Sequence, residues 1–266
     1  MANNSGRWAL ILGASSGFGA ATSRALAQAG YNIFGVHLDR KSTMPVVEAL
    51  QDDIRAVGGE VVFFNMNAAD ETKRREAVAA MRAHLGPNGV VRVVMHSLAF
   101  GALLPFVPKD GERGLDAAQV AMTLDVMASS LIYWAQDLKG AGLLGRGSKI
   151  YAMTSAGGTR VIPHYGAVSA AKAALESNIR QLAMELAPYG IAANSIRAGV
   201  TDTPALRRIP GNERMIEFAQ GVNPSGRLTT PEDVAEHIVL FSQLDSHWLT
   251  GNVIGVDGGE DIVAGL

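Results

Sequence analysis

The chain has 266 residues, 48% of them hydrophobic and 18% charged, with a formal net charge of −2. Such a chain can bury a sizeable core, and a near-neutral balance without basic or acidic blocks leaves no electrostatic footprint for nucleic acid. Cysteine is absent, which removes disulfides and thiolate metal sites; no apolar run is long enough to span a membrane, and residues 1–7 lack the apolar stretch of a leader, so a cytoplasmic protein with no metal site is expected.

Short β-rich runs alternate with stretches of helical period, which predicts an α/β fold: a doubly wound parallel sheet of about seven strands with helices on both faces. In chain order, a strand at 8–12 leads through a glycine-rich turn into a helix at 17–29. A strand at 32–37, a helix at 44–57, a strand at 61–64 and a helix at 71–85 follow. The second half continues with a strand at 90–96, a helix at 117–138, a strand at 149–154, a helix at 165–187 and a strand at 191–196. A helix at 231–242 and a strand at 252–256 complete the pattern. Gly30, Gly58-Gly59 and Gly86-Pro87 punctuate the first three helices, and Thr230-Pro231-Glu232-Asp233 carries an N-cap, a first-turn proline and early acids. No linker or repeat divides the chain, so residues 1–266 read as one domain. The rhythm breaks at 199–226, which holds Pro204, Pro210, Gly211 and Pro224 around a helical stretch at 213–220. A long excursion after a late strand sits at the carboxyl edge of such a sheet, where ligands bind, and reads as a substrate lid ahead of a plain surface loop.

Gly13-Ala14-Ser15-Ser16-Gly17-Phe18-Gly19 lies between the first strand and the first helix. Glycines also serve ordinary turns, but a strand–loop–helix setting favours a loop that lets a pyrophosphate approach backbone N–H groups at a helix N-terminus. At the end of the second strand, Asp39 stands where an acid commonly takes ribose hydroxyls, while Arg40 and Lys41 suit a 2′-phosphate. Two cations against one carboxylate put NADPH ahead of NADH.

Ser155 closes the fifth strand, and Tyr165 precedes Lys172 by seven residues. Seven residues are nearly two helical turns, so both side chains can share a face, about 10 Å apart along the axis. Singly, Tyr165 reads as a half-buried aromatic and Lys172 as a solvated helix residue. Together with the glycine loop, they read as a phenol donor with a cation that supports it, and Ser155 as a second hydrogen bond to the same substrate oxygen.

The glycine loop, Ser155, Tyr165, Lys172 and Val256-Asp257-Gly258-Gly259 resemble the short-chain dehydrogenase/reductase family, with its Rossmann fold, over essentially the whole chain. The usual signature of that family is Tyr-x3-Lys, and Val168 occupies its tyrosine position. Tyr-x6-Lys is instead similar to the enoyl-acyl-carrier-protein reductase branch. His96-Ser97-Leu98-Ala99-Phe100, Asp125 in place of a ketoreductase asparagine, Arg160-Val161-Ile162-Pro163-His164-Tyr165 and Ala198-Gly199 agree with that branch. The glycine loop is of the ordinary family type, and Ser155 replaces a second tyrosine. These departures, with the 202–206 and 223–227 segments, resemble a divergent enoyl reductase type.

The resemblance implies an NAD(P)H-dependent reductase of an enoyl thioester, carried on acyl carrier protein or coenzyme A, in fatty-acid synthesis. It implies catalytic roles for Tyr165, Lys172 and Ser155. Around the cofactor it implies Gly13, Ser15, Ser16, Gly17, Phe18 and Gly19 at the pyrophosphate, with Asp39 and Arg40 at the adenosine ribose. Asn67 and Ala68 fall near adenine, Ser97, Leu98 and Ala99 near the ribose, and Gly199, Val200 and Thr203 near the carboxamide. Phe100, Leu103, Leu206 and Tyr165 fall along the acyl substrate. A homotetramer is implied as well, built on the helices at 117–138 and 165–187 and on the last strand, with residues 260–266 reaching a neighbour. Two alternatives stand beside this reading: a carbonyl reductase or alcohol dehydrogenase of the same family, and a cofactor-binding regulatory or scaffold protein without catalysis.

Overall fold

The structure, a computed structural model, describes residues 6–263. Residues 1–5 and 264–266, which hold most of the opening segment and the end of the tail expected to reach a neighbour, lie outside the described residues.

Seven parallel strands form one sheet in the order β3-β2-β1-β4-β5-β6-β7. They are β1 (Arg7–Leu12), β2 (Tyr31–His37), β3 (Val61–Asn65), β4 (Val91–His96), β5 (Lys149–Thr154), β6 (Ala192–Ala198) and β7 (Val253–Val256). Every residue of β2 and β5 is buried, as expected of strands covered on both faces rather than one. The chain winds outward from β1 to β3 and then returns to place β4 on the other side of β1. That reversal opens a crevice at the carboxyl ends of β1 and β4, the general ligand position of such sheets.

Helices cover both faces. One core gathers Leu10, Leu12, Phe34, Trp134, Leu175 and Ile179, and the other gathers Ile11, Leu26, Ile33, Leu50, Ile54, Tyr151 and Ile238. Burying one such side chain contributes about 1.5–3 kcal/mol. Within the first core the Trp134 indole N–H donates to the Ala68 carbonyl at 2.9 Å, and Trp8 stacks on Phe34 with ring centroids 4.1 Å apart.

The helices are α1 (Gly17–Gln28), α2 (Met44–Ala56), α3 (Glu71–Leu85), α4 (Ala117–Leu124), α5 (Ser130–Gly140), α6 (Gly166–Leu186), α7 (Asn212–Val222) and α8 (Pro231–Gln243). The cap expected at Thr230 forms, as a capping box with Asp233, and Arg227 grips the Asp233 carboxylate at 2.6 Å. The single helix expected at 117–138 is instead α4 and α5 joined through a π-helical turn at Asp125–Ser129. Such a turn shifts the ladder to i→i+5 without changing the apolar pattern, so periodicity does not reveal it. Among the described residues no helix is long and apolar enough to cross a membrane.

Candidate active site

At the end of β1 the chain enters Gly13 with φ +89°. The N–H groups of Gly13 and Ala14 donate to the Val36 carbonyl at 2.9 and 3.0 Å, folding the loop back over β2. A Cβ on Gly13 would overlap the Ser97 carbonyl oxygen, and one on Gly19 would overlap that of Gly13. The loop is therefore a backbone cradle pressed between the ends of β1, β2 and β4. Ser16, extended and without a side-chain cap, starts α1, and no acid occupies the first turn. The N-terminal N–H groups thus stay open to an anion. Thr203 closes the cradle from the far side, since a Cβ on Gly17 would lie 3.5 Å from its Cγ2. A pyrophosphate fits such a cradle, where any side chain would fill the space.

Asp39 sits beside this loop. Burial alone would raise its carboxyl, but hydrogen bonds from Ser15, Thr43 and His37 outweigh that and hold it below the ordinary range. His37 Nδ1 lies 3.1 Å from its carboxylate, and Asn65 clasps its backbone on both sides, at 3.2 and 3.0 Å. Arg40 and Lys41 are exposed. Asn67 is exposed, its side chain accepting from the Ala69 N–H at 3.0 Å, while Ala68 is buried. Ser97 N–H donates to the Leu12 carbonyl at 2.8 Å, which carries Ser97, Leu98 and Ala99 along the crevice. Phe18 packs on the core beneath the loop.

Ser155 leaves β5 in extended conformation, and Tyr165 forms the N-cap of α6 rather than its first residue. The two are brought together by Gly157: a Cβ there would meet the Tyr165 ring at 2.6 Å and the Ser155 Oγ at 3.3 Å. Burial pushes the Tyr165 phenol above its usual range. The Ser155 hydroxyl lies beside the phenol and tempers this shift, but is buried without a well-aligned hydrogen bond of its own. Immediately before Tyr165, His164 is held at φ +62°, a conformation few side chains adopt and one that survives where the surroundings enforce it.

Lys172 is buried on α6, and its ammonium donates to the Met153 carbonyl at 2.7 Å. Burial draws it down to about 8, with the Glu176 carboxylate pulling part of the way back. Thr154 in turn donates to Glu176 at 2.6 Å. His96, fully buried at the end of β4, bonds Ser130 at 2.8 Å, and burial lowers it to about 3, so it is neutral.

Val168 is 4% exposed. A Cβ on Gly101 would lie 2.6 Å from its Cγ2 and 2.9 Å from Met127 Sδ. The position is thus a packing contact between α6 and the loop after β4. Along that loop Phe100 is exposed and Leu103 leans on the core. Phe106, which sequence patterning does not single out, lies over Gly166: a Cβ there would meet its ring at 2.7 Å. In the 199–226 segment Leu206 is buried within a short turn, Leu206–Arg208, and α7 follows. The Val200 N–H, expected near a carboxamide, is engaged by Glu260 at 3.0 and 3.2 Å.

The family described as Enoyl-(Acyl carrier protein) reductase matches residues 13–260. The NADH-dependent enoyl-[acyl-carrier-protein] reductase of Aquifex aeolicus is 33% identical over 189 residues, 71% of this chain and 69% of the relative. The crystal structure of an Aquifex aeolicus enoyl-[acyl-carrier-protein] reductase (NADH) superposes with a TM-score of 0.82 at 25% identity, covering 98% of both chains. A 2,5-dichloro-2,5-cyclohexadiene-1,4-diol dehydrogenase of Sphingobium indicum is 27% identical over 262 residues, 97% of this chain and 98% of that one. A match of this span, on a sheet and glycine cradle built for a dinucleotide, makes the chain a member of the short-chain dehydrogenase/reductase superfamily, an NAD(P)H-dependent oxidoreductase.

Proposed function

We propose that this protein reduces the C=C bond of an enoyl thioester, within fatty-acid synthesis, as a single reductase domain whose 199–226 segment covers the substrate. The observation that carries the reading is the exchange of roles on α6. Val168, at the family's usual tyrosine position, packs against Gly101, and the phenol beside Ser155 is that of Tyr165 at the helix N-cap.

A bound nicotinamide cofactor supplies hydride. Conjugate addition to the β-carbon gathers negative charge on the thioester carbonyl oxygen, three bonds away. Tyr165, kept protonated by burial, donates a hydrogen bond to that oxygen as the charge grows, and Ser155 Oγ offers a second donor from the same turn. Lys172 holds the ribose hydroxyls and keeps a positive charge beneath the phenol. Phe100, Leu103, Phe106 and Leu206 receive the acyl chain and exclude water. The Asp39 carboxylate, ionised and tied to the glycine loop through Ser15, opposes a 2′-phosphate, which supports NADH and outweighs the exposed Arg40 and Lys41. Acyl carrier protein is the proposed thioester carrier. A homotetramer is proposed through α4, α5, α6 and β7, beside the loop in which Trp248 is 88% exposed.

The Sphingobium relative and the proximity of Ser155 to Tyr165 favour a second reading, reduction of a carbonyl group. Absorbance of NADH and of NADPH, followed with a trans-2-enoyl thioester and with the matching β-keto thioester, separates the two. Oxidation with the enoyl compound supports the proposal. Oxidation with the keto compound alone replaces it by carbonyl reduction, and cofactor binding without any turnover replaces both by a non-catalytic role.

A further inference from the structure

After β7 the chain doubles back through Gly258 (φ +62°) and Gly259 (φ +87°), with the Gly259 N–H donating to Asp257 Oδ1 at 2.9 Å. The reversal delivers two neighbouring carboxylates to two different loops of the site. Glu260 accepts the Val200 N–H with both oxygens, at 3.0 and 3.2 Å, and its Oε2 lies 2.8 Å from where a Cβ on Gly199 would stand. Asp261 pairs with Arg197 of β6 at 2.8 Å and with Arg160, in the loop that leads to Tyr165, at 2.6 Å. Arg160 also donates to the Asp261 backbone carbonyl at 2.9 Å. Asp257 adds a longer contact to Arg197, at 3.7 Å.

An isolated exposed ion pair contributes little, but a partly buried carboxylate shared by two guanidinium groups restricts both. What it restricts here is specific. Residues 199–203 end at Thr203, which lies against Gly17 of the glycine cradle. The Arg160 loop ends at the strained His164 and at Tyr165, and a strained backbone keeps its geometry only where neighbours hold it. The wall of the dinucleotide site and the loop bearing the phenol are thus tied to one turn of chain.

We propose that Glu260 and Asp261 are positioning residues for the nicotinamide end of the cofactor: Glu260 sets the course of residues 199–203, and Asp261 locks the Tyr165 loop to that same turn. The proposal rests on reading 199–203 as the nicotinamide-side wall, and neither carboxylate touches the reacting atoms. The adenosine end rests on Gly13 and Gly19 of the cradle after β1 and on Asp39 after β2, and shares with residues 199–203 the one contact of Thr203 with Gly17. Loss of the tie therefore weakens the whole dinucleotide while sparing its adenosine half.

The test compares binding of NADH, by fluorescence, with binding of ADP, by calorimetry, in the full-length protein and in Glu260→Ala, Glu260→Gln and Asp261→Asn, with thermal midpoints recorded alongside. Glu260→Ala is expected to raise the NADH Kd about tenfold and to leave the ADP Kd within about twofold. Glu260→Gln, whose amide oxygen still accepts the Val200 N–H, is expected to restore most of the NADH affinity. Asp261→Asn gives the same split between NADH and ADP, and decides the matter if Glu260→Ala does not fold. Equal weakening of NADH and ADP, or unchanged NADH binding in both Glu260→Ala and Asp261→Asn, would overturn the proposal. Binding is read without a thioester, so a protein that binds NADH but reduces no enoyl compound would refute the reductase reading and leave this test standing.

Discussion

The two halves of the site are made by opposite means. In the cradle after β1, backbone does the work, and Gly13, Gly17 and Gly19 matter for the atoms they lack. Around α6, side chains do the work, and Ser155, Tyr165 and Lys172 matter for their hydroxyl, phenol and ammonium groups, with burial pushing the phenol up and the ammonium down. The first half therefore fails by steric overlap and takes binding with it. The second fails by chemistry, with binding left in place at Ser155 and Tyr165 and lost in part only at Lys172.

The largest effect expected from this contrast is in the cradle. Gly19→Val drives a side chain into the Gly13 carbonyl, a backbone atom that cannot step aside. Dinucleotide binding should vanish, with a stability loss of about 1–3 kcal/mol or more, read by fluorescence titration and denaturant unfolding. Dinucleotide affinity equal to that of the unmodified protein would break the comparison. Next comes Tyr165→Phe, expected to lower kcat on an enoyl thioester by about 10²–10³-fold with NADH affinity unchanged. A parallel loss of binding would mean that the phenol is structural.

A smaller effect is expected in the pH profile. Lys172 has a folded-state pKa of about 8 against an ordinary 10.5, through burial offset by Glu176. Its cation is lost as pH rises through about 8, so kcat/KM should fall on that limb, and Glu176→Gln should move the limb to lower pH. Stability runs the other way. Between about 8 and 10.5 the unfolded chain binds the proton that the folded one has released, so this group makes folding more favourable as pH rises through that window. The smallest effect sharpens the cradle itself: Asp39→Asn should narrow the preference for NADH over NADPH by about tenfold, as expected for one partly buried charge facing a phosphate. An unchanged ratio would shift the selectivity to Arg40 and Lys41.

The same contrast governs what the sequence reveals. Short apolar runs are enough to place all seven strands to within a residue or two, although β4 and β6 carry Arg92, Asn194, Ser195 and Arg197 inside them. The glycine loop and the Ser155, Tyr165 and Lys172 cluster are legible because residue type and spacing carry their chemistry. What supports them is not. The packing of Val168 on Gly101, of Gly157 under the Tyr165 ring and of Phe106 over Gly166 are long-range contacts that no local pattern records. The hydrogen bonds of Asp39 with Ser15 and His37 join the second strand to the first loop. The left-handed backbone at His164 is uncommon for any residue with a side chain, and no local pattern announces it. The turn that brings Glu260 to Val200 is signalled only by Gly258-Gly259, and its destination only by the fold.

The central claim, that Tyr165 serves hydride addition to a C=C bond, is tested most directly by where the hydride lands. With NADH deuterated at the transferable position and a trans-2-enoyl thioester, mass spectrometry and NMR of the product locate the label. The account predicts a saturated thioester with one deuterium on the β-carbon and a solvent-derived hydrogen on the α-carbon. No transfer to the enoyl substrate, with deuterium instead appearing on the carbinol carbon of a hydroxy product from the β-keto thioester, would contradict it.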